Sequence, residues 1–131
     1  SFLEGTTVTG YFASNFAVVR KDTGELIGGV ELKDLSPENR SAVLGIAIGD
    51  KRCWDGGYGT DTMRTMCRFG FEMMNLNRIE LEVHADNARA RHVYAKVGFQ
   101  EEGVRRQALF KGGHYQDVVV MGLLAGELRL E

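Results

Sequence analysis

Seven consecutive residues, Ala42–Ile48 (AVLGIAI), carry no charged or hydrogen-bonding side chain. A strand exposed on one face alternates apolar with polar residues, so an unbroken apolar run belongs at the centre of a sheet, covered on both faces. The neighbouring segments supply the rest of such a fold. Phe16–Arg20 and Leu26–Leu32 read as two strands of a hairpin around Asp22-Thr23-Gly24. Thr60–Met74 places Met63, Met66, Cys67, Phe71 and Met74 close to helical spacing. Arg78–His84 alternates, with Ile79, Leu81 and Val83 on one face, and so predicts a strand. Asn87–Val97 predicts a second helix, with Gly98 at its C-terminal cap. Two last strands, near Val104–Phe110 and Val118–Leu124, flank the turn Lys111-Gly112-Gly113. The expected order is β-β-β-α-β-α-β-β, an α/β (α+β) fold with a mixed sheet and at least two helices.

The 131 residues suit one domain, residues 1–131, with a single core. At 44% hydrophobic and 26% charged residues the chain is composed to fold rather than to stay disordered. A net charge of −2 gives no bulk reason to bind nucleic acid or an anionic membrane, and Arg89, Arg91, Arg105 and Arg106 are too dispersed to form a patch. Cys53 and Cys67, with His84, His92 and His114, match no metal-ligand spacing, so neither a metal nor a disulfide framework is expected. The longest apolar runs, such as Val118–Leu124, are too short to span a bilayer, and a cytoplasmic location is the default expectation.

Between the apolar strand and the first helix lies Cys53-Trp54-Asp55-Gly56-Gly57-Tyr58-Gly59-Thr60. A helix N-terminus offers unpaired backbone N–H groups and a partial positive charge, both suited to phosphate oxygens. Glycine lets the backbone approach an anion and take positive φ. Thr60 would cap the helix or donate its hydroxyl. The third glycine of a dinucleotide fingerprint is absent, and no Lys-Ser/Thr pair marks a Walker loop. A glycine-rich turn that binds nothing explains the same residues.

The segment Asn87 to Phe99 fits N-x-x-A-x-x-x-Y-x-K-x-G-F, with Asn87, Ala90, Tyr94, Lys96, Gly98 and Phe99 at the marked places. This resembles the GNAT acetyltransferase superfamily. The loop is similar to that family's Q/R-x-x-G-x-G/A motif, with Trp54, Gly57 and Gly59 at the marked positions. Trp54 stands where Gln or Arg is usual, and Asp55 where glycine is usual. The tail Gly113 to Met121 is similar to the branch containing ribosomal-protein alanine and spermidine acetyltransferases. The resemblance implies a mostly antiparallel sheet, splayed between two central strands, with helices on both faces. Members usually begin with a strand and two helices. Here only Ser1–Asn15 precede the strand at Phe16, so those elements are expected to be missing, through truncation or because a partner supplies that wall.

It further implies acetyl-CoA as co-substrate and a primary amine as acceptor: a protein N-terminus, a polyamine or a small amine. Residues Trp54, Asp55, Gly56, Gly57, Tyr58, Gly59 and Thr60 would hold the pyrophosphate. Ile46, Ala47 and Ile48 would pair with the pantetheine arm and offer an N–H to the oxyanion. Gly45 and Gly49 suit a bulge that splays the strands, or ordinary strand ends. Tyr94 would protonate the departing thiolate, a phenol being a fitting acid for it. Asn87 would touch the pantetheine or simply cap its helix, and Lys96 would meet a CoA phosphate or only solvent. For the base, Glu80, Glu82 and His84 share one strand face and Glu31 is another candidate. Glu82 ranks first, although a solvated face explains the pattern too. His114, Tyr115 and Asp117 would shape the acceptor end, or only a hairpin turn. Val118-Val119-Val120 suits a homodimer contact or burial within the monomer. The rival readings are a non-catalytic CoA-binding module, a fragment completed by a partner chain, and an interaction protein whose loop is empty.

Overall fold

The computed structural model describes residues 6–8, 15–20, 23–48 and 57–130. Seven strands form one sheet in the order β1-β2-β3-β4-β5-β7-β6. They are β1 (Thr6–Val8), β2 (Asn15–Arg20), β3 (Leu26–Ser36), β4 (Ser41–Ile48), β5 (Arg78–His84), β6 (Gln100–Lys111) and β7 (His114–Leu124). Helix α1 (Tyr58–Met73) joins β4 to β5, α2 (Ala88–Val97) joins β5 to β6, and a short 3-10 turn, Ala125–Glu127, follows β7.

The predicted elements are all present, with β1 added before the hairpin. The differences in length have a common cause. β3 runs on to Ser36 through Lys33 and Asp34, and β6 and β7 each start about one turn earlier than their apolar residues suggest. Ladder hydrogen bonds are made by the backbone, so a strand can extend through polar residues that break the apolar pattern.

Register fixes which residues share a face. Val30 pairs with Ile46, Leu32 with Leu44 and Ala42 with Ile79, while Ile79, Leu81 and Val83 oppose Leu123, Met121 and Val119. All of these join one apolar cluster with Met63, Met66 and Cys67 of α1 and Val93, Tyr94 and Val97 of α2. Both described helices therefore lie on one face of the sheet, where the family resemblance led us to expect helices on both. Gly70 explains how closely α1 settles: a Cβ there would come within 3.1–3.3 Å of Ile79, Leu76 and Leu32 side-chain carbons. That close approach offsets the weak helix propensity of glycine.

The other face carries Glu31, Lys33, Arg78, Glu80, Glu82 and His84. It leaves Val43 and Gly45 half-buried and Ala47 exposed. Central position is confirmed for β4, but among the described residues it is covered on one face only. On the side away from the described helices the run places the small residues Val43, Gly45 and Ala47. Val118 and Val119 are buried and Val120 half-buried in β7, between β5 and β6. Of the two readings of that run, burial within the monomer accounts for Val118 and Val119.

Candidate functional site at the parting of two central strands

β4 and β5 are parallel, and their pairing is short: Ser41 with Arg78, Ala42 with Ile79 and Val43 with Glu80. Beyond that rung the strands separate, although β4 stays paired with β3 through Ile48 and β5 with β7 through His84. Among the described residues, the β4 edge from Leu44 to Ile48 that faces β5 thus has no strand partner. Gly45 is not a bulge. It pairs in register with Glu31, and the irregularity in the β3–β4 ladder falls between Lys33 and Ser36. Gly49 lies outside the described residues. The expected splay is present, and Ile46, Ala47 and Ile48 stand on it.

Both helices begin at the end where the strands part. α1 returns the chain to the start of β5 and ends at Met73, so its N-terminus lies toward the C-terminal ends of β4 and β5. A helix of its length covers roughly 24 Å. α2 starts four residues after His84. Ligands of open α/β sheets bind beyond the carboxyl ends of diverging parallel strands, and helix N-termini there favour anions.

Of the glycine-rich segment, Cys53, Trp54, Asp55 and Gly56 lie outside the described residues. Gly57 is the N-cap of α1 with φ 86°, and no side chain caps this terminus. The first intrahelical bond joins Asp61 N–H to Gly57 C=O at 3.0 Å, so the amides of Tyr58, Gly59 and Thr60 precede it. A Cβ on residue 57 would meet nothing within 4 Å, so the need for glycine here is conformational and the space beside it is open. Thr60 does not cap the helix. The helix starts two residues earlier than its apolar periodicity indicates, which puts Thr60 inside the first turn and buried.

Tyr94, on the second turn of α2, is 7% exposed and packs edge-on to Phe99 with ring centres 6.3 Å apart. Among the described residues its hydroxyl has no hydrogen-bond partner. Burial pushes the phenol above its usual range, so it holds its proton. Asn87 caps α2, its side-chain oxygen accepting from Ala90 N–H at 3.2 Å. That leaves its amide nitrogen available as a donor. Lys96 is exposed in the last turn, away from the helix start.

Glu82 is exposed and lies on the open face just past the last β4–β5 rung, where Arg105 of β6 holds it at 3.0 Å. His84 lines a cleft of about 490 Å³ together with Asp86, Asn87, Lys111, Gly112, His114 and Gln116. The cleft unites the end of β5, the start of α2 and the β6–β7 turn. His114 therefore reaches this region. Tyr115 instead packs on Phe110 at 5.0 Å, and Asp117 accepts the Gln107 N–H at 2.8 Å. Both serve the hairpin. Asp86, Lys111 and Gln116 were missed, because a turn about 25 residues distant in sequence folds back over β5 and no local pattern marks that contact.

Ion pairs tie the neighbouring strands and the start of α2 together. Arg78 Nη2 donates to Glu102 at 2.6 Å and to Glu80 at 3.3 Å, and the Glu102 carboxyl is held below the usual carboxylate range by this Arg78 hydrogen bond. Arg91 grips Glu101 at 2.7 Å and the Ala85 carbonyl at 2.8 Å, fixing the β5–α2 turn against β6. Among the described residues no group of three or more His, Cys, Asp or Glu could hold a metal ion. No helix among them is long and apolar enough to cross a membrane.

This geometry agrees with the comparisons to known proteins. The acetyltransferase (GNAT) domain family matches residues 3–100. The spermidine N(1)-acetyltransferase of Vibrio cholerae is 35% identical over 107 residues, covering 82% of this chain and 61% of that protein. The L-amino acid N-acetyltransferase AaaT of Escherichia coli is 33% identical over 100 residues, covering 75% of this chain and 61% of that protein. A crystal structure of the Vibrio cholerae spermidine N-acetyltransferase in complex with CoA and spermine superposes with a TM-score of 0.80 at 33% identity, covering 86% of this chain and 66% of that one. The chain spans less than two thirds of the length of these relatives. Strand parting, helix starts and family match coincide in the same stretch, and the chain belongs to the GNAT acetyltransferase family.

Proposed function

We propose that the chain is an acetyl-CoA-dependent N-acetyltransferase domain, residues 1–131, acting in the cytoplasm on a cationic primary amine such as a polyamine. The observation that carries this reading is the early end of the β4–β5 ladder at Val43 and Glu80, which among the described residues leaves one edge of β4 unpaired beside two helix N-termini. The residues present fit CoA. The uncapped start of α1, with open space beside Gly57, suits a pyrophosphate, together with residues Trp54, Asp55 and Gly56 ahead of it. The free edge at Ile46, Ala47 and Ile48 suits the amides of an extended pantetheine arm, which would add to the sheet as a short pseudo-strand. The Asn87 amide nitrogen suits a further contact to that arm, and Lys96 an outer phosphate.

Acetyl-CoA would supply an activated acetyl group as a thioester, whose carbonyl carbon the acceptor nitrogen attacks as the carbon–sulfur bond breaks. The chain's own groups then have three tasks. Main-chain N–H on the free β4 edge steadies the carbonyl oxygen as it gains charge. Glu82, anchored by Arg105 at the rim, takes the proton of the acceptor ammonium. Tyr94, neutral through burial and without a competing partner among the described residues, gives its proton to the sulfur. Relatives named for spermidine support a polycationic acceptor.

Thermal unfolding with and without acetyl-CoA tests the reading. Ligand at 100 times its Kd should stabilise the chain by about 2.7 kcal/mol, seen as a rise in Tm. Thiol release should follow when spermidine is added. No shift at millimolar acetyl-CoA would remove the proposal. The polar face, uncovered among the described residues, favours a second reading, in which a further segment or partner chain completes the acceptor wall. A full shift without turnover would single that out.

A further inference from the structure

Four carboxylates stand on the open face, Glu31 and Glu82 of them beside the parting, and three of the four are already matched. Glu80 and Glu102 share Arg78, and Glu82 is held by Arg105 at 3.0 Å. Glu31 differs. Among the described residues its recorded partner is Lys33 at 3.8 Å, beyond hydrogen-bond reach. Register sets Glu31 opposite Gly45, the second residue past the last β4–β5 rung. A Cβ on residue 45 would lie 3.0 Å from Glu31 Oε1 and 3.2 Å from its Cγ. The side chain therefore leans across β4 instead of standing up from β3, and it does so because glycine leaves the space. This lean carries the carboxylate toward the open parting, on the bank opposite Glu82.

We infer that Glu31 selects the acceptor, its carboxylate accepting hydrogen bonds from a second, non-reacting ammonium of a di- or polyamine. The inference rests on the N-acetyltransferase reading above and names the residue that sets acceptor class within it. A half-shielded carboxylate without a hydrogen-bonded counter-ion attracts an ammonium more strongly than a fully solvated one does. The reacting nitrogen sits at Glu82, so the two carboxylates divide the work. Glu31 acts on binding, Glu82 on the chemical step. A monoamine has nothing to offer Glu31 and gains nothing from it.

The test is titration calorimetry of spermidine into CoA-saturated protein, comparing wild type with Glu31→Gln, Glu31→Asp and the distant surface control Glu72→Gln. Acetyl-CoA thermal shifts are measured on all four. Glu31→Gln should weaken spermidine by about tenfold or more, while the control stays within about twofold. Glu31→Asp, which keeps the charge, should recover part of the loss. In turnover, Glu31→Gln should raise KM for spermidine with kcat and the KM of alaninamide little changed. Equal spermidine affinity in wild type and Glu31→Gln, or no spermidine binding by wild type, overturns the role of Glu31. If the acetyl-CoA shift persists in that case, the parent reading stands. Absence of the shift in wild type overturns both.

Discussion

Tyr94 is 7% exposed, and among the described residues its hydroxyl makes no hydrogen bond, which leaves its proton available for the proposed donation. Tyr94→Phe removes one oxygen from a position where it makes no internal bond, so the fold should be unaffected. The expected result is a fall in kcat of roughly a hundredfold or more, with acetyl-CoA affinity nearly unchanged, as read from steady-state kinetics and thermal shift. Burial raises the phenol's pKa, so the acid form persists through neutral and mildly alkaline pH, and no loss of kcat from Tyr94 should be seen below about pH 10. Glu82→Gln should behave differently. Its kcat defect should shrink as pH rises toward the acceptor's own pKa, because solvent then supplies the neutral amine. A pH-independent defect would deny Glu82 the proton. Tyr94, Asn87 and Gly98 were legible in the sequence because a short motif on one helix carries all three. The pairings that define the rim were not, since Glu82 meets Arg105 and Glu31 meets Gly45 only through strand register.

At the scale of elements, the start of α1 matters most. Gly57 occupies the left-handed region at φ 86°, where a Cβ costs about 1–2 kcal/mol even though nothing nearby would touch it. Gly57→Ala should therefore lower stability by roughly that amount in urea melts and weaken acetyl-CoA binding as the first-turn amides shift. Unchanged affinity would mean that this helix start does not meet the pyrophosphate. Apolar periodicity placed α1 well but began it at Thr60, because Tyr58 and Gly59 add no apolar repeat to announce the first turn. β4 differs in the other direction. Its run of small apolar residues reads as full burial, whereas among the described residues Val43 and Gly45 are half-buried and Ala47 is exposed.

Across the whole molecule, one apolar layer joins sheet and helices while the opposite face is held by ion pairs. Arg78 is the hub, linking β5 to the β6 residue Glu102 two strands away. Because Glu102's carboxyl is held below its ordinary range in the folded chain, its contribution is present at neutral pH, above the unfolded pKa. It is lost as pH falls through the folded value. Glu102→Gln should cost roughly 0.5–1 kcal/mol at pH 7, since the pair is partly exposed, and the gap from wild type should close on acidification below about pH 4. Denaturant melts at pH 7 and pH 3 measure both. The order of elements along the chain was largely readable from patterning. The shared face of the two described helices was not, because alternation in β5 shows that one side is apolar without showing which helices pack on it.

The rung at Val43 and Glu80 has one more effect. A gap that is open at one end and shut at the other works as a depth stop: a rod slid into it halts at the same place whatever its length. A donor carrying a longer acyl chain could not push deeper, so its carbonyl would have to back out along the gap, away from Tyr94 and the rim. Preference for a two-carbon group would then follow from where a ladder happens to end rather than from any pocket moulded to a methyl.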